Sequence, residues 1–212
     1  MPIPAFPIYL FDVDGTLVDS WRDICGAIQT VISKPSEEAR PPVTDDFLRG
    51  YIGRHLIDLF LDLDYPRDRI DGMIAEYRTI YAARQHAATV RYPGVKEALT
   101  ALPGRKSTAT TKGTPMTRVV LEKFDLLAHF DHVQGTDGFP AKPEPDVVLA
   151  SLKVFGADPK DVLFVGDAPA DMEAGRRAGV KTCAVRYGYG TAEELARWEP
   201  DYWIDDLREL AG

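Results

Sequence analysis

Ile8-Tyr9-Leu10-Phe11-Asp12-Val13-Asp14-Gly15-Thr16 decides the fold. Apolar residues rich in β-formers end at two carboxylates and a glycine, the pattern of a buried strand running into a turn. Asp12 and Asp14 then sit at the strand's C-terminal edge, where open α/β sheets bind ligands. Two acids one residue apart repel each other unless a cation lies there or one acid keeps its proton. An acidic turn without function has the same composition, because Asp and Gly are ordinary turn residues. This stretch alone leaves both readings open.

A second acidic strand end follows at Val162-Leu163-Phe164-Val165-Gly166-Asp167, with Asp171 at helical spacing ahead of the Ala-rich stretch from Met172 to Ala178. A hard cation such as Mg²⁺ takes oxygen ligands and keeps several waters, so the carboxylates of Asp12 and Asp167 on neighbouring strands would suffice with a backbone carbonyl and a phosphate oxygen. Asp171 is either a ligand or a neighbour of one, or a helix N-terminal acid that complements the dipole. Between the acidic ends, Lys106 to Gly113 reads as a strand ending in the hydroxyls of Thr110 and Thr111, with Thr114-Pro115 as a helix start. Hydroxyls and free N–H groups at such a start bind anions. Lys142, in Ala141-Lys142-Pro143-Glu144-Pro145-Asp146, would neutralise a phosphate and an acid together, or else is a solvated loop residue.

In this order the four pieces resemble the haloacid dehalogenase superfamily, and within it the phosphoglycolate phosphatase-like branch. Phe11 to Ser20 is similar to the family's first motif, Thr110-Thr111-Lys112 to its second, Lys142-Pro143 to its third and Gly166 to Asp171 to its fourth. Tyr92-Pro93-Gly94-Val95 resembles the return from cap to core. The resemblance implies an α/β fold, a Rossmann-like parallel sheet core with helices on both faces, plus an inserted all-helical cap. It also implies a Mg²⁺-dependent phosphatase acting on a small phosphorylated metabolite, with 2-phosphoglycolate as the nearest candidate. Asp12 would be the nucleophile that forms an aspartyl-phosphate, and Asp14 the general acid and base. Asp12, the Asp14 carbonyl and Asp167 would hold the metal, Thr110 and the Thr111 N–H the phosphoryl oxygens, and Lys142 would balance charge. The family often has Asn where this chain has Thr111 and Ser where it has Ala168, which implies altered substrate contacts.

The rest of the chain is consistent with that architecture. Strand-like runs at 8–14, 107–111, 133–135, 162–166 and 182–186 alternate with helical segments from Tyr92 onward, predicting a parallel sheet covered on both faces. From 17 to 91 the rhythm changes. Trp21, Ile24, Ile28 and Val31 recur at helical spacing, as do Leu56, Leu59, Phe60 and Leu63, and then Ile70, Met73, Ile74, Tyr77 and Tyr81. The expected division is a core of 1–16 and 92–212 with a helical cap of 17–91, within which Lys34 to Pro42 reads as a loop. In the cap, Gly53 and Arg54 at a helix start are candidates for binding the substrate's organic portion, whereas Arg78, Arg84 and His86 read as solvated.

Composition narrows the partners. The 212 residues are 45% hydrophobic and 27% charged, ordinary for a globular protein, and the net charge of −8 disfavours nucleic acid and anionic membranes. Cys25 and Cys183 are too few and too far apart in sequence for a disulfide framework and read as small buried hydrophobes. A Pro-rich start without a basic, apolar leader predicts a cytoplasmic protein, expected as a monomer or homodimer acting on a small phosphate ester. Two alternatives stay open. A phosphomutase would return the phosphoryl group to a sugar phosphate, and a non-catalytic receiver-type module would accept it on Asp without needing a helical cap.

Overall fold

The computed structural model describes residues 3–34 and 41–211. Its order is β1 (Ile8–Phe11), β2 (Val18–Asp19), α1 (Trp21–Ile32), α2 (Asp45–Arg49), α3 (Leu56–Asp62), α4 (Arg67–Ala83), β3 (Val90–Arg91), α5 (Val95–Ala101), β4 (Arg105–Thr108), α6 (Thr114–Lys123), α7 (Asp146–Phe155), β5 (Val162–Gly166), α8 (Pro169–Ala178), β6 (Lys181–Val185), α9 (Ala192–Ala196) and β7 (Tyr202–Ile204). Five strands form one sheet in the order β4-β1-β5-β6-β7, every neighbouring pair parallel. This is the expected α/β fold, and among the described residues no helix is long and apolar enough to cross a membrane.

A sheet buried on both faces needs apolar side chains at every position of its central strands. The run Ile8 to Phe11 supplies them. Tyr9 and Phe11 pack with Leu163, Val165, Leu99 and Val120 on one face, while Ile8 and Leu10 pack with Phe164, Val148 and Leu152 on the other. The period-2 alternation of strand side chains thus divides one short sequence between two cores. A third apolar cluster lies apart from the sheet, where Ile24, Ile28 and Val31 of α1 meet Leu59, Phe60, Ile70, Ile74, Tyr77 and Tyr81. The chain leaves and re-enters the sheet region side by side, since β2 pairs antiparallel with β3 through Val18↔Arg91 and Asp19↔Val90.

Several expectations need correction. No strand forms at 133–135. His132 makes a single bridge to Ser107, and the Thr108 hydroxyl donates to the Gln134 carbonyl and accepts from its N–H, both at 2.9 Å. That side chain takes the two backbone groups a ladder would have used. The edge strand β7 was not foreseen, because three residues give no periodicity to read. Arg84 is not merely solvated: its Nε donates to Asp23 Oδ1 at 3.1 Å, and Asp23 Oδ2 also accepts from the Ala88 N–H and the Thr89 hydroxyl. His86 is buried at 3% exposure. Of the loop expected from Lys34 to Pro42, residues 35–40 lie outside the described residues. Cys25 and Cys183 are both buried and free, and burial pushes the Cys25 thiol up to about 12.

Leu10 lies in the middle of the sheet with no exposed surface. Leu10→Ala is therefore expected to destabilise the fold by about 2–5 kcal/mol. Val154→Ala, at a position 55% exposed, should stay within about 0.5 kcal/mol. Urea unfolding midpoints of the two variants check the contrast.

Candidate active site

The parallel register brings the ends of β1 and β5 together, because Phe11 pairs with Val165 and the Asp12 N–H continues the ladder to the Val165 carbonyl at 2.9 Å. Asp12 and Asp167 therefore emerge at one edge. Oxygen atoms of Asp12, Asp167 and Asp171 lie within 4.8 Å of one another, and all three residues are buried. Between them sits Lys142, whose Nζ donates to Asp12 Oδ1 at 2.8 Å, to Asp171 Oδ1 at 2.5 Å and to the Ala109 carbonyl at 3.1 Å.

Each acid has a different environment. Burial, with Asp171 and Asp14 nearby, raises Asp12 to about 6 despite the opposing pull of Lys142. Burial and the charges of Asp171 and Asp12 hold Asp167 well above the usual carboxylate range. Burial alone would lower Lys142, but the two carboxylates on it more than reverse that and hold it above its ordinary value. Asp171 has both oxygens engaged: Oδ2 accepts from the N–H groups of Asp167 and Ala168 at 3.1 and 2.9 Å. It thereby caps α8 and fixes the turn that carries Asp167. Asp167 accepts from the Thr16 hydroxyl and the Tyr189 N–H, each at 2.8 Å. Gly15, at φ +98°, leaves the room this needs, since a Cβ there would lie 2.1 Å from Asp167 Oδ2.

Asp14 has partners of its own. Its Oδ1 accepts from the Ser20 hydroxyl at 2.6 Å and its Oδ2 lies 3.1 Å from Lys112 Nζ. Lys112 also donates to the Tyr81 hydroxyl on α4 at 3.1 Å. Burial opposes its charge, but Asp14 and Tyr77 outweigh burial and raise it. Lys112 belongs to the second motif, but nothing in the sequence pairs it with Asp14. Thr16, Ser20 and Tyr189 were missed for the same reason.

The four carboxylates of Asp12, Asp14, Asp167 and Asp171 face the two ammonium groups of Lys112 and Lys142. Two negative charges are left over when all are ionised. An oxygen-only donor set with that surplus suits a hard divalent cation and fits no soft metal.

A cavity of about 640 Å³ opens over these groups, lined by Asp12, Asp14, Thr110, Thr111 and Lys112 on the sheet side and by Gly53, Arg54 and Arg78 on the helical side. Arg78, expected as plain surface, reaches this cavity although it is exposed. Arg54 stacks its guanidinium 4.5 Å from the Tyr51 ring centroid. Thr110 accepts the Lys112 N–H at 3.3 Å through its hydroxyl oxygen. The Thr111 side chain is turned to the helices, donating to the Gly53 carbonyl at 2.9 Å. Gly53, at φ +89°, lies against Ala168, where an added Cβ would come within 3.3 Å of that residue's Cβ. Both departures from the family pattern thus meet at Gly53.

Comparison with known proteins agrees with this arrangement. A family model for haloacid dehalogenase-like hydrolases matches residues 9–185. Phosphoglycolate phosphatase 1 of Pseudomonas aeruginosa is 33% identical, covering 96% of this chain and 78% of its own length. A phosphoglycolate phosphatase of Aquifex aeolicus is 32% identical, covering 96% and 94%. The solved structure of a haloacid dehalogenase-like family hydrolase from Streptococcus pneumoniae superposes with a TM-score of 0.83 at 25% identity, covering 97% of this chain and 96% of its own. With a family match over most of its length and the site residues gathered at one sheet edge, the chain belongs to the haloacid dehalogenase-like hydrolases.

Proposed function

We propose that the protein is a Mg²⁺-dependent phosphatase of small phosphate esters that works through an aspartyl-phosphate on Asp12. One observation carries the reading: Asp12 is buried beside the cavity, with Lys142 clamped on Oδ1 and, among the described residues, no hydrogen bond drawn to Oδ2. A carboxylate oriented through one oxygen presents the other as a nucleophile. Oδ2 attacks phosphorus in line, the ester P–O bond breaks, and Asp14 gives its proton to the leaving alcohol oxygen. Asp14 then takes a proton from the water that attacks the aspartyl-phosphate, which frees inorganic phosphate and restores Asp12.

The other residues divide the remaining work. The Thr110 hydroxyl and the Thr111 N–H hold the phosphoryl oxygens, and Lys142 offsets charge on Asp12 and the phosphate. Lys112 and Ser20 orient Asp14. Asp12, the Asp14 carbonyl and Asp167 would hold Mg²⁺, with Asp171 positioning them from behind. When bound, the ion shields the phosphate dianion from the carboxylates and stabilises charge on the transferring group. Residues 17–91 act as a cap that encloses the site and excludes water, with Gly53 and Arg54 facing the organic portion of the substrate. The activity named for the relatives makes 2-phosphoglycolate the first substrate to assay, and a cytoplasmic setting suits such a metabolite.

Asp12→Asn should abolish phosphate release, below about a hundredth of the wild-type kcat, while circular dichroism stays native, because the amide is similar in size but a poor nucleophile. Retained turnover would remove Asp12 from the nucleophile role. Chelation should likewise stop turnover, Mg²⁺ should restore it, and Ca²⁺ should not, since a larger and less regular coordination shell spoils in-line alignment. A phosphate-release assay across the metal series checks this, and full activity after exhaustive chelation would refute the metal requirement.

A further inference from the structure

The cavity is larger and more apolar than the substrate suggested by the relatives requires. Its volume of about 640 Å³ corresponds to roughly 20 water molecules at ~30 Å³ each. Phosphoglycolate, with about nine heavy atoms, would leave most of it to water, whereas cavities of roughly 300–1,000 Å³ accept ligands several times that size. The cavity is partly open to solvent, although the helical insert touches the sheet region at separate points. Thr111 bonds to Gly53, Lys112 bonds to Tyr81, and the Tyr189 hydroxyl accepts from the N–H groups of Ser20 and Trp21 at 2.7 and 3.1 Å.

The chemistry of the walls is segregated. Asp12, Asp14, Thr110 and Lys112 line the sheet side. Across from them, Ile24 and Ile28 of α1, Leu56 of α3, and Ile74 and Tyr77 of α4 line the cavity, joined by Met116 from α6. Water against such a wall is readily displaced by an apolar group, and a carboxylate placed there would lose hydration without a partner. The two arginines that line the cavity, Arg54 and Arg78, are both exposed residues.

Resting on the phosphatase reading, we propose that the preferred substrate is a phosphomonoester whose alcohol carries an aromatic or branched aliphatic group, seated against Ile24, Ile28, Ile74 and Tyr77. The phosphoryl group occupies the polar floor, and the apolar group fills the space that glycolate would leave wet. Selectivity then comes from area removed from water on the cap side, with no demand on the chemistry at Asp12.

The test uses alkyl phosphates with equally poor leaving groups, so that reactivity is matched and only the apolar portion differs. With Mg²⁺ present, kcat/KM for 2-phenylethyl phosphate is expected to exceed that for ethyl phosphate and for 2-phosphoglycolate by about tenfold or more. Ile74→Thr, which puts a hydroxyl in the wall and removes the terminal methyl, should lower the ratio of phenylethyl to ethyl turnover at least about threefold, with circular dichroism confirming the fold. Met116→Gln provides the same comparison from α6. Preference for 2-phosphoglycolate, equal turnover of the two alkyl esters, or a ratio that neither variant moves would overturn the inference and leave the phosphatase reading standing. Release of phosphate neither from these esters nor from the activated aryl ester p-nitrophenyl phosphate would remove the phosphatase reading and this inference with it.

Discussion

The Lys142 ammonium, fully buried between Asp12 and Asp171, is the contact on which the rest of the site depends. An unpaired charge at that depth would be strongly unfavourable, and removing one partner from a buried pair costs about 3–5 kcal/mol. Lys142 therefore fixes two acids at once. Through Asp12 it reaches the end of β1, and through Asp171 it reaches the first turn of α8. Asp171 in turn holds the N–H groups of Asp167 and Ala168. One ammonium ties the ends of two adjacent strands into a single constellation, and the Ala109 carbonyl beyond β4 adds a third point.

That arrangement concentrates negative charge as well as placing it. Burial dominates the rise of Asp12 to about 6 and also the rise of Asp167, so burial works against the ionised form of both carboxylates. Lys142 offsets part of this at Asp12, and Lys112 lies against Asp14. The surplus left by two lysines against four acids favours a divalent cation. The two lysines are also separate: Lys142 pairs with Asp12 and Asp171, and Lys112 with Asp14.

How much of this was legible in the sequence follows from the range of the interactions involved. β1 and β5 were readable because each carries its own burial pattern in a short apolar run, and their acidic ends followed at once. The expected strand at 133–135 failed because the Thr108 hydroxyl, far back in the chain, captures both backbone groups of Gln134. Arg84 and His86 read as surface because Asp23, which anchors the turn after α4, is sixty-one residues from Arg84 in the chain. Lys112 was visible as a cation beside two threonines, but its partners Asp14 and Tyr81 come from two different elements. Local pattern specifies elements. Pairing of buried polar groups is set by topology.

The two departures from the family pattern make the same point at the site itself. Thr111 and Ala168 stand where larger or more polar side chains are frequent, and in this fold both abut Gly53 at the edge of the helical insert. A hydroxyl that donates to a main-chain carbonyl and a methyl that packs against a glycine bring the two sides close at this point. The groups proposed to handle the phosphoryl stay on the sheet side, at the strand ends beside Thr110 and Lys142. The helices opposite contribute mostly apolar surface. On the proposed reading, substitutions on those helices would change which ester fits while the reacting atoms keep their positions, so substrate choice could diverge on a fold whose acidic cluster is tied together by one buried lysine.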